Sequence, residues 1–433
     1  MSANSQNASP DGNPSQPDPA ISRRALLGGS LAATGALTLG VQTIGAQMSN
    51  PAQAAPTVAG PATTVWDGTN LAGNDALSST PDGLVISAPQ GRLTYTDPHR
   101  DRTVEYEYAA WLSPRVDLTF GATELIASWN AITPVGTWVQ VKVRGIAEDG
   151  RASRWFTLAN WTSDDTDADI ARTSVDGQSD ALGSAQTDTV VAAEGVTFTG
   201  YEAEVKLLRP VGSTASPTLS LAAVVASAAP APGVSTPQRG LGTVLDVPTY
   251  SQEMHKGHYP QYNGGGEAWC SPTSTAMVLD FHHHGPPPEH TGWVDIPGEL
   301  TPQVDHAARF CYDHAYAGTG NWPFNTAYVA AHAMKGHITR LASMNDLGAL
   351  IEQGLPVVIS VTFDKGQLDG AGYGTNGHLM TVVGFTDDGQ VVCNDPASHL
   401  LADNGQVRVT YRRDQLEPIW LSRGGTAYVM QPR

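Results

Sequence analysis

Three side chains far apart in the chain have the types that a thiol hydrolase needs. Cys270 lies in Gly264-Gly265-Gly266-Glu267-Ala268-Trp269-Cys270-Ser271-Pro272-Thr273-Ser274, which leads into a helix-period stretch from Thr275 to His283. Pro272 suits a first helical turn because its missing N–H would find no partner there anyway. Gly285 and the three prolines after it end the helix. Cys270 therefore falls at a helix N-terminus, where free N–H groups and the dipole favour a thiolate. His378 opens an apolar strand, Gly377-His378-Leu379-Met380-Thr381-Val382-Val383-Gly384-Phe385, behind a glycine-rich loop from Gly370 to Gly377. After the turn Asp387-Asp388-Gly389, a second strand runs through Val391-Val392-Cys393-Asn394 to Asp395. Antiparallel neighbours of this kind can set His378 beside Asp395. A thiol nucleophile needs a base within about 3 Å and an acceptor on that base's far nitrogen, and Cys270, His378 and Asp395 can fill these roles. Asn394 is a rival for the last, and since side chains alternate along a strand only one of the two neighbours can face the histidine. Taken alone, Cys270 could equally be an inert buried thiol.

The elements that must position these residues occupy the second half of a 433-residue chain, a length that calls for two domains with a core each. Lys plus Arg number 24 against 42 Asp plus Glu, a formal charge of −18, which argues against nucleic-acid binding and against a polybasic membrane surface. The 45 Gly and 30 Pro favour a turn-rich, strand-rich fold. Residues 1–55 read as an address: a polar run, then Ser22-Arg23-Arg24, then an apolar Gly/Ala/Leu stretch too diluted to span a bilayer, then Ala52-Gln53-Ala54-Ala55. This is the order of a twin-arginine signal peptide cleaved near Ala54, so a secreted, extracytoplasmic protein with no membrane span is expected. From 60 to 226 the sequence reads as strands. Val139, Val141 and Val143 alternate with Gln140, Lys142 and Arg144, and Tyr201 to Leu207 repeats the pattern. An all-β sandwich or jelly roll is expected there, with six tryptophans that serve its core or, if exposed, a glycan- or wall-stacking platform. Residues 227–243 read as a Pro/Ala linker.

Pro248-x-Tyr250-x-Gln252, then Trp269-Cys270-Ser271-Pro272-Thr273-Ser274-x-Ala276-Met277-Val278-Leu279, then Gly377-His378-x-x-Thr381-Val382-Val383-Gly384-Phe385, then Asn394-Asp395-Pro396, resembles cysteine peptidase family 39 and its relatives, named for bacteriocin-processing peptidases. The resemblance covers residues 244–433 and implies an α+β papain-like peptidase domain. It implies that Cys270 is the nucleophile, His378 the general base and later acid, Asp395 the orienter in preference to Asn394, and Gln252 an oxyanion donor beside the Cys270 N–H. Gln261 competes for the oxyanion role because the segment between Gln252 and Cys270 is longer than in compact members. Ser271 stands where the family commonly has Gly. With no transporter spans in the chain, leader processing is not expected, and the substrate would be a cell-wall peptide or a small secreted polypeptide. Two further readings are an inactive wall- or glycan-binding protein and a thiol acyl or amide transferase.

No cofactor or metal is assigned. Consecutive His282, His283 and His284 point about 100° apart on a helix and read as favourable cations at its C-terminus. Asp364, Asp369, Asp387 and Asp388 lack a calcium-loop pattern. A helix is expected from Pro302 to Tyr316, and Cys311 and Cys393 could pair or stay as buried thiols.

Overall fold

The computed structural model describes residues 60–165, 168–228 and 232–433, so the signal-peptide reading of residues 1–55 lies outside the described residues. The first half forms two antiparallel sheets of seven and six strands. Glu124–Ile132 and Thr218–Ser227 pair at the centre of the larger. Phe198–Pro210 is central in the smaller, between Arg102–Leu112 and Trp138–Ala147. The period-2 pattern explains the arrangement. Val139, Val141 and Val143 are buried while Gln140, Lys142 and Arg144 stay partly exposed, and Lys142 and Arg144 meet Glu204 and Glu202 across the sheet at 3.2 and 2.6 Å.

The second half carries a six-stranded antiparallel sheet in the order Met334–Arg340, Thr426–Pro432, Val357–Phe363, Thr375–Phe385, Val391–Asn394, Arg408–Tyr411. Helices are few and short, the longest being the twelve residues Cys270–Phe281. Among the described residues no helix is long and apolar enough to cross a membrane.

Four features correct or refine the expectations. First, the cores are not fully separate: beside a large cluster confined to the second half, one apolar cluster runs through both halves, where Phe324 packs edge-on against Trp129 and Trp161 at 5.9 and 5.2 Å. The buried amide of Asn130 donates to the Thr326 and Gly336 carbonyls at 3.1 and 2.9 Å. Second, the Pro/Ala segment is fastened to the second half: Ser235 donates to Glu417 through N and Oγ at 2.9 and 2.6 Å. Third, the helix from Pro302 stops at Cys311. Asp313 causes this, since its buried carboxylate accepts from Ser174 N at 2.9 Å and Asn321 Nδ2 at 2.8 Å, turning the chain toward the first half. Fourth, residues 247–251 join no ladder, and side chains hold them: Asn394 Nδ2 donates to the Pro248 carbonyl at 3.0 Å and Ser251 N donates to Asn404 Oδ1 at 2.7 Å.

Candidate active site

Cys270 is the first residue of its helix and is partly exposed. Pro272 fills the first turn as the proline rule requires, and the Cys270 N–H, at the first position, has no intrahelical acceptor. The helix is fastened to the histidine strand by Ser274 Oγ, which donates to the Leu379 carbonyl at 3.2 Å, and by Thr381 Oγ1, which donates to the Ser274 carbonyl at 3.5 Å. Ser271 turns inward, with its Oγ 2.9 Å from the Tyr428 hydroxyl. Its hydroxyl is therefore committed to the core and stays out of the cleft.

His378 lies in the strand Thr375–Phe385, and Asp395 follows the last residue of Val391–Asn394. Register sets Thr381 opposite Asn394, which leaves Asp395 within a side chain's reach of His378, and Nε2 of the ring lies 2.8 Å from Asp395 Oδ1. The Cys270 thiol also acts on the ring and adds to its basicity. With Nε2 engaged by the carboxylate, Nδ1 is the nitrogen left for sulfur. Burial pushes the imidazole down, but the Asp395 carboxylate, with Cys270 adding to it, outweighs that and raises His378 to about 10. Burial would lift Asp395, yet His378 and the hydroxyl donors hold it below the ordinary carboxylate range.

Those donors are the residues the sequence did not single out. Tyr373 Oη donates to both Asp395 oxygens, at 3.0 and 2.8 Å, and Tyr411 Oη donates to Oδ2 at 2.6 Å. The Ala397 N–H adds a bond to Oδ1 at 3.0 Å. Tyr373 comes from the glycine-rich loop, where Gly370 and Gly372 have φ of 88° and 83°. The spacing of that loop to His378 was visible in the sequence, but its hydroxyl's partner was not. The loop's tight course also needs Gly374, where a Cβ would lie 2.5 Å from the Lys365 backbone nitrogen.

Asn394 faces away from the histidine. Its amide donates to the Val247 and Pro248 carbonyls at 3.3 and 3.0 Å, and its oxygen accepts from Arg408 Nε at 3.0 Å. Gln252 is buried in the turn Gln252–His255, and its backbone N–H donates to the Pro396 carbonyl at 2.9 Å, seating it beside Asp395. The Gln252 amide nitrogen donates to the Glu267 carbonyl at 2.7 Å and to Glu253 Oε1 at 3.3 Å, while its oxygen is buried without a partner. Gln261 is exposed. Glu253 was not anticipated; burial raises it, the Glu267 carboxylate raises it further, and His378 pulls it back.

Cys311 and Cys393 are free, fully buried thiols, not a pair, and burial pushes both well up from the ordinary value. The cationic reading of His282 also changes, since burial and the neighbouring histidines hold it down. Of the six tryptophans in the first half, Trp66, Trp111, Trp129, Trp138 and Trp161 are buried, and Trp155 is partly exposed under the Arg144 guanidinium at 4.6 Å.

Comparison with known proteins bears on both halves. Residues 59–227 match the family model of the peptidase C39 N-terminal domain, and residues 244–428 match that of the peptidase C39-like family. The chain thus carries, in order, a match to a C39 N-terminal domain and a match to a C39-like peptidase domain. No curated protein is similar enough to match. Among solved structures, a protein described as a C39-like peptidase from Bacillus anthracis matches at 15% identity and a TM-score of 0.26, over 44% of this chain and 98% of its own. A structure of the infectious bursal disease virus Gx strain matches at 13% identity and a TM-score of 0.19, over 39% of this chain and 33% of its own. Likeness at that level carries no argument, so the family matches and the site's geometry bear the weight.

Proposed function

We propose that this protein is a C39-like thiol peptidase with a papain-like catalytic half, working through Cys270, His378, Asp395 and Gln252. The observation that carries the reading is a buried imidazole bonded to Asp395 at 2.8 Å, with the thiol of Cys270 near enough to add to its basicity. In this reading the Cys270 thiolate attacks a peptide carbonyl while His378, kept protonated by its buried partner, stands ready to protonate the departing amine. Water then attacks the thioester with His378 as base. The oxyanion is met by the Cys270 N–H at the helix start and by the Gln252 amide, whose long contact to Glu253 is the one exchanged. The substrate class proposed is a cell-wall peptide or a small secreted polypeptide, consistent with export by the twin-arginine route. The first half is proposed as a β-sandwich that holds the enzyme near wall polymer or glycan, although of its six tryptophans only Trp155 offers partly open ring surface.

Two measurements test the chemistry. Cys270→Ala is expected to lower kcat/KM on any responsive peptide from a library by at least about 10⁴-fold, with the fold kept; retained turnover refutes the assignment. Iodoacetamide near neutral pH is expected to label Cys270 far ahead of Cys311 and Cys393, both 0% exposed; equal slow labelling of all three would count against an activated thiol.

A further inference from the structure

A second group of chemically capable side chains lies outside the triad, where the long segment between Gln252 and Cys270 folds against the helix Pro302–Cys311. His255 and His258 both aim Nδ1 at Asp305, at 3.0 Å to Oδ2 and 3.1 Å to Oδ1. Glu299 Oε2 stands 3.7 Å from His255 Nδ1 and 3.6 Å from His258 Nδ1. The four ligand atoms all fall within 4.8 Å of one another. The side chains of His255 and Asp305 are 0% exposed, that of Glu299 8% and that of His258 13%.

With neutral rings, hydrogen bonds alone leave this group in conflict. Thr301 Oγ1 lies 3.1 Å from His255 Nε2 and 3.0 Å from Glu299 Oε1, and a hydroxyl has one proton to give. If it goes to Glu299, His255 Nε2 must be the donor, and a neutral ring then turns the Nδ1 lone pair toward the Asp305 carboxylate. If it goes to His255, the hydroxyl's lone pairs face the Glu299 carboxylate. The contacts of Glu299 Oε2 at 3.6 and 3.7 Å are too long for hydrogen bonds. They suit ligands of one ion, since bonds of about 2.0–2.2 Å give a tetrahedron with edges of about 3.3–3.6 Å.

We propose that His255, His258, Glu299 and Asp305 bind a zinc ion. Two ring nitrogens disfavour calcium and magnesium, which take oxygen ligands, and four protein ligands close the site, the mark of a structural rather than a catalytic zinc. The cation would take the Nδ1 lone pairs of both rings and one oxygen from each carboxylate. Thr301 then falls into a consistent relay: His255 Nε2–H donates to its hydroxyl, and the hydroxyl donates to Glu299 Oε1, an outer-sphere support of the usual kind. The ion would tie the Gln252–His255 turn to the helix Pro302–Cys311.

The test uses the full chain carrying Cys270→Ala, so that neither thiol ligation nor hydrolysis enters the result. After stripping with chelator and reloading with zinc chloride, one zinc per chain is expected by elemental analysis following gel filtration, with a rise in Tm. Cobalt chloride is expected to give the intense visible absorption of tetrahedral Co(II). His258→Ala and Glu299→Gln, each in that background, should lose the bound zinc and the Tm response. If either variant fails to fold, zinc content and the cobalt spectrum of the parent decide. Absence of stoichiometric zinc in the folded parent, a weak octahedral cobalt spectrum, or zinc retained by both variants overturns the proposal.

Discussion

Two buried histidine–aspartate pairs sit in the same half of this molecule and differ in what surrounds them. In the first, His378 bonds to Asp395, whose oxygens are filled by the hydroxyls of Tyr373 and Tyr411 and the Ala397 N–H. In the second, Asp305 meets two rings, His255 and His258, with a second carboxylate, Glu299, close behind. Donors that bring their own protons stabilise a bare carboxylate and leave its imidazole protonated beside a thiol. Where a second carboxylate takes the place of the hydroxyls, two rings and two carboxylates converge on one point, which the proposed zinc ion would share. The teaching is that a histidine–aspartate contact of about 3 Å says little by itself, and that the next layer decides between proton transfer and metal binding.

The comparison can be broken at its strongest point with Asp395→Asn. Activity per folded molecule is expected to fall by about 10⁴-fold, the scale seen when an orienting carboxylate is replaced by its amide, and the alkaline limb of kcat/KM, expected near the His378 value of about 10, should move to lower pH. An unchanged limb would mean that Asp395 does not set the charge on the ring. The same pair couples stability to pH. His378, raised above its unfolded value of about 6.5, contributes fully below that value, and the contribution is lost as pH rises through about 10. Asp395, held low, contributes above the ordinary carboxylate range and loses its contribution as acid takes pH down through its depressed value. A smaller effect is expected from Tyr373→Phe, which removes one of the donors to Asp395: a charged hydrogen bond of about 1.5–3 kcal/mol corresponds to about a 10- to 160-fold loss of rate, read as kcat with circular dichroism to check the fold. Smaller still for catalysis is Asn394→Ala. Its amide faces Val247 and Pro248, so kcat should hold while stability drops by about 1–3 kcal/mol in denaturant melts; a large fall in kcat would reassign the orienter.

The chemistry-bearing residues were legible because each sits next to a local signal: Pro272 and the glycines mark a helix start at Cys270, and the apolar runs around His378 and ahead of Asp395 mark paired strands. Alternation along Val391–Asn394 was enough to say that Asn394 and Asp395 must face opposite ways. What was not legible depended on contacts between distant positions. Tyr411 reaches Asp395 from the edge strand and Tyr373 from a loop, and neither carries a mark that separates a hydroxyl serving a carboxylate from one serving solvent. His255 and His258 stand three positions apart, but Asp305 lies 50 and 47 positions further on, so nothing local tied the two rings to their carboxylates. Tryptophan content told of burial but not of what would be buried against it. Trp129 and Trp161 meet Phe324 of the other half, and that junction is also what cuts the helix short at Cys311, through Asp313 and Ser174.

The apolar layer that joins Trp129 and Trp161 to Phe324 has a bearing on how such a molecule can be divided. Separating the halves by proteolysis or gene truncation would strand aromatic rings and the Asn130 amide in water, so each fragment should clump or fail to fold. Calorimetry of the intact molecule should then record a single melting event, and a replacement for the front half would have to bring a matching aromatic face with it.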